Sequence, residues 1–329
     1  MRVLIIGGTQ FVGRHVAEQA VARGHEVTVF HRGRTNNDAV PEAERIIGDR
    51  DTDLDRLGGR EWDATVDACA YVPRQVSELA DALNGRGGRH AFISTVSVYR
   101  EPAPPDIDED APLAELDDPT TEDVTGETYG GLKVLCEQVV AERYTDPLVI
   151  RPTYVVGPYD YTHRFTYWVT RIAEGGRVVA PELPGHQIQV IDARDQGRWV
   201  VELLEAGDSG TFHTVNPPPP YDFADMLRTI ADAVGPAGTE IVPVALPFLE
   251  EQGVSGNDLP LWYPGTQPGD PGLSCDPSRA EAHGLRVRPL EQTVRETLEH
   301  ERATPTPNPG DVGWSREAEQ KLLAAWDAR

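Results

Sequence analysis

Lysine is almost absent from this chain of 329 residues, in which Lys133 and Lys321 are the two lysines among 30 basic side chains. Acidic side chains number 54, which gives a formal net charge of −24. An acidic excess of this size repels phosphate backbones, so we expect no nucleic-acid partner. Adaptation to high internal salt explains the composition, and a GC-rich genome that replaces lysine by arginine is an alternative explanation.

Cysteine and long apolar runs are also scarce. Cys69, Cys136 and Cys275 are widely spaced and form no C-x-x-C pair, which disfavours a disulfide framework or a zinc site. No run approaches the eighteen or so apolar residues of a membrane span, and no basic leader followed by an apolar stretch opens the chain. We therefore expect a cytoplasmic protein that has no membrane partner.

The first thirty residues carry the clearest pattern. Residues 3–6 are apolar and predict a buried strand, glycines follow at once, and residues 11–23 show apolar positions at helical spacing. A second apolar run at residues 27–30 closes a βαβ unit. Unpaired N–H groups at such a helix start suit a pyrophosphate, so we predict a dinucleotide-binding turn. Its members are Gly7, Gly8, Thr9, Gln10, Phe11, Val12 and Gly13. A plain strand-to-helix turn is the alternative.

Strand and helix patterns alternate further along the chain. We predict strands at residues 45–50, 64–70, 91–99 and 212–215, and helices at residues 72–83, 129–137, 221–234, 279–301 and 315–328. This alternation indicates an α/β fold with a Rossmann-type doubly wound parallel sheet. We expect residues 1–158 to form the dinucleotide-binding domain, with a return of the chain at about 187–216. Residues 159–329 then form mainly a substrate-binding portion and the C-terminal helices.

These features resemble the short-chain dehydrogenase/reductase superfamily, in its extended branch of NAD-dependent epimerases and dehydratases. That branch usually spaces its glycines G-x-x-G-x-x-G, and here Gly7 and Gly13 match the ends while Gln10 replaces the middle glycine. The turn is similar to an atypical subgroup that reads Gly-Gly-Thr-Arg-Phe, which includes chloroplast stem-loop-binding proteins and bacterial reductases. The resemblance implies a nicotinamide dinucleotide as cofactor.

The cofactor's adenosine end meets the end of the second strand in this branch. NAD-preferring relatives carry an acid there, whereas this chain has His31, followed by Arg32 and Arg34. Two guanidiniums can hold a 2′-phosphate, which favours NADP(H) over NAD(H); solvated loop cations are the alternative. The resemblance also implies that Asp49 lies near the adenine.

The end of the fourth predicted strand should also meet the cofactor. Ala68 and Ala70 are small residues at that strand end, as needed where backbone approaches a cofactor closely. We therefore expect both residues to bind the cofactor.

Tyr129 and Lys133 are four residues apart and therefore share one helical face. A nearby ammonium stabilises phenolate, so the hydroxyl can exchange the proton of a carbinol while hydride moves to or from nicotinamide. The resemblance implies that Lys133 also holds the nicotinamide ribose. It places Thr95 as the residue that hydrogen-bonds the substrate oxygen, with Ser94 and Ser97 as alternatives.

Two sequence differences narrow the reaction. Sugar-nucleotide 4,6-dehydratases carry an Asp-Glu pair directly after the threonine, whereas Val96 and Ser97 follow Thr95 here, which disfavours dehydration. Sugar-nucleotide epimerases carry an asparagine where this chain has Tyr154, which makes a nucleotide-diphosphate sugar a doubtful substrate.

Candidate substrate residues come later in the chain. Residues 159–168 concentrate aromatics and cations, and we predict a pocket wall that includes Arg164 and Trp168. Helix packing is the alternative for Trp168. Arg194 is a third candidate, for which a structural ion pair is the alternative.

We therefore predict an NAD(P)-dependent oxidoreductase or epimerase that transfers a hydride at a secondary alcohol or ketone. Its substrate is sugar-like or another small hydroxylated molecule, and Tyr129 is the acid/base. A non-catalytic dinucleotide-binding sensor or an RNA-binding relative is the alternative, and both the Tyr-Lys pair and the acidic surface argue against it. The resemblance also implies a possible homodimer through the helices that follow strands four and five.

Overall fold

The computed structural model describes residues 1–216, 221–262, 272, 274–306 and 312–329. The strands in these ranges are β1 Arg2–Ile6, β2 Glu26–His31, β3 Glu44–Ile47, β4 Ala64–Asp67, β5 Arg89–Ile93, β6 Leu148–Pro152, β7 Tyr154–Val156, β8 Arg177–Pro181, β9 Gln187–Ile188, β10 Val190–Asp192, β11 Gly210–Thr214, β12 Tyr221–Asp222 and β13 Glu240–Val244.

The helices in the same ranges alternate with these strands. They are α1 Phe11–Ala22, α2 Pro73–Leu83, α3 Tyr129–Arg143, α4 Arg164–Ala173, α5 Ala193–Ala206, α6 Phe223–Val234, α7 Leu246–Glu251, α8 Ser278–Ala282, α9 Leu290–Ala303 and α10 Arg316–Asp327. Short 3₁₀ turns occur at Leu54–Leu57 and Val96–Val98. None of the described helices combines the length and the apolar character that a membrane span needs.

The chain folds into two units. The first comprises Met1–Val155, Val190–Pro218 and Cys275–Val287, and the second comprises Val156–Gln189, Pro219–Ser274 and Arg288–Arg329. Each unit is therefore built from three separate stretches of the chain.

A parallel sheet of seven strands forms the centre of the first unit, in the order β11-β6-β5-β4-β1-β2-β3. The order reverses between β1 and β4, where open α/β sheets bind their ligands beyond the carboxyl ends of the strands. The predicted Rossmann-type doubly wound fold is confirmed.

Both faces of this sheet are buried, which is why β1 reads as a continuous apolar run. Val3 and Ile5 pack into one cluster with side chains of α1 and α5, and Leu4 and Ile6 pack into another with side chains of α2. Complete burial of one such side chain contributes roughly 1.5–3 kcal/mol.

Helices α1 and α5 lie unusually close together on one face of the sheet. A Cβ at Gly197 would lie 2.8 Å from the backbone carbon of His15, so only glycine allows this approach. The contact fixes α1, and with it the turn at its start, against the body of the first unit.

In the second unit, β8 pairs with β13 in parallel and β9 pairs with β12 in antiparallel fashion. The buried ion pair between Arg171 and Glu319, 2.7 Å apart, ties α10 to α4. Glu319 also accepts a hydrogen bond from the backbone N–H of Val179 at 3.0 Å. The tail helix is thereby joined to the core of this unit.

Several predicted elements have the wrong extent. The third and fourth strands end at Ile47 and Asp67 instead of at residues 50 and 70. The fifth strand ends at Ile93 instead of running to residue 99, because Thr95 caps a 3₁₀ turn by accepting a hydrogen bond from the Ser97 N–H. The helix predicted at residues 279–301 is two helices, α8 and α9. Gly284 has a φ of +86° between them and Pro289 precedes α9, and neither residue continues a helix.

Candidate active site

The turn between β1 and α1 has the geometry of a phosphate-binding turn. Gly7 has a φ of +88°, which glycine adopts without strain, and its N–H donates to the Phe30 carbonyl at 2.9 Å. A Cβ at Gly13 would lie 2.3 Å from the Gly7 oxygen, so glycine is required for α1 to approach the turn. At Gly8 a Cβ would lie 2.9 Å from a Val29 methyl carbon.

Gln10 stands where the branch usually has its middle glycine, and its backbone does not need one. Its φ of −126° and ψ of 142° are extended values that any residue adopts. The strain lies instead at Phe11, whose φ is +37°. Thr9 and Phe11 are buried, whereas Val12 is half-buried.

The N-terminus of α1 is free of competing negative charge. The Gln10 side chain does not cap the helix, and no acidic residue occupies its first turn. The N–H groups that face the turn therefore keep the partial positive charge that favours a pyrophosphate. Together with the three glycines, this geometry fits the dinucleotide that the sequence predicts.

Three basic side chains lie at the end of β2 and directly after it. Arg32 and Arg34 are exposed, and within the described part of the chain neither makes an ion pair or a hydrogen bond. His31 is buried, and its Nδ1 accepts a hydrogen bond from the Gly33 N–H at 3.2 Å. Burial, with a contribution from Arg45, lowers the pKa of His31, which keeps the ring neutral.

A buried ion pair supports the loop between β3 and β4. Arg50 donates to both carboxylate oxygens of Asp67, at 2.8 and 3.0 Å, and also to the Gln75 carbonyl at 2.9 Å. Burial opposes ionisation of Asp67, but the guanidinium beside it holds the pKa of that carboxyl below its usual range. Asp49 is half-buried, and its Oδ1 accepts from the Asp51 N–H.

Lys133 is buried, with 3% of its surface exposed. Its ammonium donates to the Ala70 carbonyl at 2.9 Å and to the Ile93 carbonyl at 2.7 Å, so it joins the segments that follow β4 and end β5. It also lies 4.0 Å from the centre of the Phe92 ring. Burial lowers the pKa of Lys133 to about 8. Ala68, the other predicted small residue, donates its N–H to the Ile6 carbonyl at 3.1 Å.

Close packing fixes Tyr129 at the start of α3. A Cβ at Gly130 would lie 2.1 Å from the Ser97 carbonyl oxygen, and one at Gly131 would lie 2.5 Å from Leu116. Gly130 therefore lets the helix start lie against the 3₁₀ turn that Thr95 caps, and Gly131 lets it lie against Leu116. Thr95 also donates from its Oγ1 to the Ser97 Oγ at 3.2 Å.

A buried polar network lies beneath this helix. Ser94 donates to Glu137 at 2.5 Å, and Arg151 donates to both oxygens of Glu137 at 3.0 and 2.6 Å. Arg151 also donates to the Tyr99 hydroxyl at 2.8 Å, and His213 contacts the same hydroxyl. Ser94, an alternative to Thr95 in the sequence analysis, is thereby committed to Glu137.

The structure places the three predicted substrate residues in different surroundings. Trp168 is fully buried in α4, and its indole N–H donates to the Pro260 carbonyl at 2.8 Å, so it belongs to the core of the second unit. Arg164, also in the second unit, donates to Thr162 at 3.3 Å. Arg194, in the first unit, grips Asp192 with two nitrogens at 2.9 and 2.6 Å, as its structural alternative expects.

Sequence reasoning did not single out Tyr71. It follows Ala70 and is 40% exposed, and its ring centre lies 6.4 Å from that of Tyr129. Lys133 Nζ lies 5.8 Å from the Tyr71 ring. Its position directly after the small residues that end the β4 segment is the signal that could have identified it.

A comparison with protein families matches residues 3–216 to the NAD dependent epimerase/dehydratase family. The chain belongs to this family. Membership accounts for the glycine turn, the parallel sheet and the position of α3 within the first unit. The family resemblance drawn from the sequence is confirmed.

Two further proteins are similar in sequence to this family member. It is 25% identical over 202 residues to the chloroplast stem-loop binding protein of 41 kDa b from Arabidopsis thaliana, covering 55% of this chain and 49% of that one. It is 26% identical over 270 residues to a 3-diazoavenalumate denitrifying reductase from a Streptomyces species, covering 75% and 86% respectively. The chain thus spans about half the length of the chloroplast relative.

Among solved structures, the fold is similar to that of WbmG from Bordetella bronchiseptica, determined in complex with NAD and UDP. The TM-score is 0.70 at 20% identity, and the match covers 93% of this chain and 96% of that one. At 20% identity, this similarity shows that the two proteins share a fold.

Proposed function

We propose that this protein is an NADP(H)-dependent oxidoreductase that reduces the carbonyl group of a small molecule to a secondary alcohol, with Tyr129 as the acid/base. The substrate class is a sugar-like or other hydroxylated molecule. The observation that carries the proposal is the buried ammonium of Lys133, one helical turn from Tyr129 and hydrogen-bonded to the segments that follow β4 and end β5. A lysine buried at this cost, in a chain that has two lysines, argues for a chemical role.

In this proposal Lys133 supplies positive charge beside the phenol of Tyr129. The charge stabilises the phenolate that forms when Tyr129 gives its proton to the carbonyl oxygen. Thr95 donates a hydrogen bond to the same oxygen as it gains negative charge. When bound, the reduced nicotinamide supplies the hydride that adds to the carbonyl carbon, and the products are the alcohol and the oxidised cofactor.

The cofactor preference rests on the residues that follow β2. No carboxylate occupies the strand end, and Arg32 and Arg34 are exposed cations with no partner in the described part of the chain. A 2′-phosphate would gain charge-assisted hydrogen bonds from such guanidiniums. NADPH is also the usual donor for reductions, so the preference supports reduction.

The comparisons support a reaction of the epimerase/reductase class, and experiment must decide between reduction and epimerisation. One relative is named as a reductase, and WbmG was solved with NAD and UDP. Epimerisation of a nucleotide sugar is the second candidate, but Tyr154 stands where sugar-nucleotide epimerases carry asparagine. An epimerase retains its cofactor through the cycle, so stoichiometric oxidation of added NADPH separates the two candidates.

The first experiment is calorimetric titration of NADP⁺ and of NAD⁺ into the protein, at low and at molar salt. Tighter binding of NADP⁺ that Arg32→Ala abolishes supports the proposed preference. Equal or tighter binding of NAD⁺ contradicts it and puts epimerisation ahead of reduction.

A second experiment tests the catalytic assignment with Tyr129→Phe, which removes the exchangeable proton and leaves the ring. We expect carbonyl reduction with NADPH to fall by roughly 10²–10⁴-fold while cofactor affinity is retained. Unchanged turnover would exclude Tyr129 as the acid/base. Absence of turnover in the wild type, with cofactor still bound, would support the sensor alternative.

The homodimer implied by the family is also part of the proposal. Val76 of α2 and Val140 of α3 pack into one cluster against the sheet, and both helices carry exposed residues. Sedimentation equilibrium that gives twice the 36.1 kDa chain mass would support a dimer. A mass of one chain would exclude it at the concentration used.

A further inference from the structure

An aromatic side chain lies exposed beside the two residues to which the proposed function assigns catalysis. Tyr71 is one of four large hydrophobic residues that are exposed in the described ranges; the others are Ile47, Val124 and Tyr161. Exposure of an aromatic ring leaves apolar surface in water that packing would otherwise remove. The centre of the Tyr71 ring lies 6.4 Å from the centre of the Tyr129 ring and 5.8 Å from Lys133 Nζ.

Hydrogen bonds hold the backbone around Tyr71 in place. Its N–H donates to the Gln75 side chain at 2.9 Å, and Gln75 in turn donates to Asp51 at 3.0 Å. The carbonyl of Ala70, directly before it, accepts from Lys133. The lysine that is proposed to serve Tyr129 therefore also fixes the backbone of the segment that carries Tyr71.

The distance between the two rings suits aromatic recognition. Aromatic pairs interact favourably at centre-to-centre separations of about 4.5–7 Å, in tilted or offset arrangements. The planes of Tyr71 and Tyr129 are inclined at 43°, so the rings form a corner rather than a stack. Because Tyr71 is 40% exposed, a flat group beside Tyr129 would reach the Tyr71 ring.

The polar side chains in the same region are already engaged. Ser94 donates to Glu137 and Lys133 donates to two carbonyls. The Thr95 hydroxyl, which donates to Ser97 here, is the donor that the proposed function turns toward the substrate carbonyl. A polyhydroxylated ring needs many free donors and acceptors, whereas a conjugated ring needs an apolar face and one polar contact at its carbonyl.

On the basis of the proposed function, we infer that Tyr71 determines specificity. Its ring is the wall against which a planar, conjugated carbonyl substrate packs, with the carbonyl directed at Tyr129. Within the hydroxylated molecules of the proposed function, the substrate class is then an aryl or conjugated ketone rather than a sugar.

The test uses two ketones of similar size, acetophenone and cyclohexyl methyl ketone, of which the first alone is planar and conjugated. With NADPH, we expect the wild type to favour acetophenone in kcat/KM by about tenfold, an energy within the range of aromatic contacts. Tyr71→Ala should bring the ratio close to one, chiefly through a higher KM for acetophenone. Tyr71→Phe should retain the preference, because the ring face remains. Val124→Ala, a change at another exposed apolar residue, is the control.

A binding measurement separates this inference from the proposed function. The secondary alcohols 1-phenylethanol and 1-cyclohexylethanol are titrated into the NADP⁺-saturated protein, and cofactor affinity of each variant is measured in parallel. Tighter binding of 1-phenylethanol that Tyr71→Ala abolishes, with cofactor affinity unchanged, supports the role of Tyr71 even if neither ketone is reduced. In that case the proposed reduction fails on its own. Equal binding of the two alcohols by the wild type, no binding of either, or a preference that survives in Tyr71→Ala would overturn the inference.

Discussion

The cations at the two ends of the proposed cofactor site differ in almost every physical respect. Arg32 is exposed at the end of β2 and has no partner in the described ranges. Lys133 is 3% exposed and hydrogen-bonded to two carbonyls. The first cation is exposed to water, whereas the second is already desolvated and held by two acceptors. In the proposed function this difference separates two tasks, recognition of the 2′-phosphate by Arg32 and a role in the chemistry for Lys133, which needs a fixed place.

Removal of the buried cation should give the largest effect. Lys133→Met keeps the length and volume of the side chain but removes the ammonium, and we expect turnover to fall by roughly 10²–10⁴-fold. Lys321→Met is the matched control, because Lys321 is an exposed residue of α10. Steady-state kinetics of both variants, with circular dichroism to check folding, is the measurement. Retention of more than half of the activity in Lys133→Met would show that turnover does not need the buried ammonium.

The pH dependence of turnover should show the burial of Lys133. Because burial lowers its pKa to about 8, the ammonium loses its proton as pH rises above 8. We therefore expect kcat to decline above that pH, by up to about tenfold per pH unit.

The free energy of unfolding should change with pH in the opposite direction to kcat. The folded state prefers the neutral amine while the unfolded chain stays charged, so stability should rise between pH 8 and 10.5. Lys133→Met should remove that rise.

Another buried base extends the comparison to stability. His90 is 1% exposed, neither ring nitrogen has a partner in the described ranges, and burial lowers its pKa to about 4. Between pH 6.5 and 4 the unfolded chain therefore binds more protons than the folded protein. As pH is lowered through that window, the free energy of unfolding should decrease by at most about 1.4 kcal/mol per pH unit. His90→Phe, which retains the stacking on Tyr144, should flatten this slope. Urea denaturation at several pH values measures it, and an equally steep slope in the variant would count against the assignment.

Removal of the exposed cation should have a smaller and separable effect. We expect Arg32→Ala to weaken NADP⁺ binding by about tenfold, within the range of one charge-assisted hydrogen bond, with kcat and thermal stability unchanged. The salt dependence of NADP⁺ affinity should also become shallower. Arg302→Ala, which removes an exposed cation of α9, is the control. A loss of kcat without a loss of affinity would mean that the two cations do not have separate tasks.

Restoration of the usual glycine should have the smallest effect. Gln10→Gly recreates the family spacing, but the extended backbone at this position gives glycine no conformational advantage. We expect cofactor affinity to change less than about threefold and stability to fall by about 0.5–1 kcal/mol, because glycine costs more backbone entropy. Calorimetry and thermal unfolding are the measurements. A large gain in affinity would show that the glutamine side chain obstructs the turn.

The sequence predicted some of these features well and others poorly, for physical reasons. The strand, glycine turn and helix at residues 1–31 were predictable because they depend on local periodicity and on glycine geometry. The predicted end of β5 was wrong because Val96, Val98 and Tyr99 continue the buried apolar positions through the 3₁₀ turn that Thr95 caps, and burial alone does not distinguish a strand from such a turn. The break between α8 and α9 could have been predicted from Gly284 and Pro289.

The sequence by itself determined the parallel α/β fold, the dinucleotide-type turn and the spacing of Tyr129 and Lys133 on one helix face. Only the tertiary structure decided that Lys133 joins the segments that follow β4 and end β5, that Arg50 neutralises Asp67, and that Tyr71 lies beside Tyr129. These contacts join residues 17 to 63 positions apart, which meet because parallel strands bring their carboxyl ends to one edge of the sheet. Local periodicity specifies each strand and helix, but the neighbours of each strand end follow from the order in which the sheet is assembled.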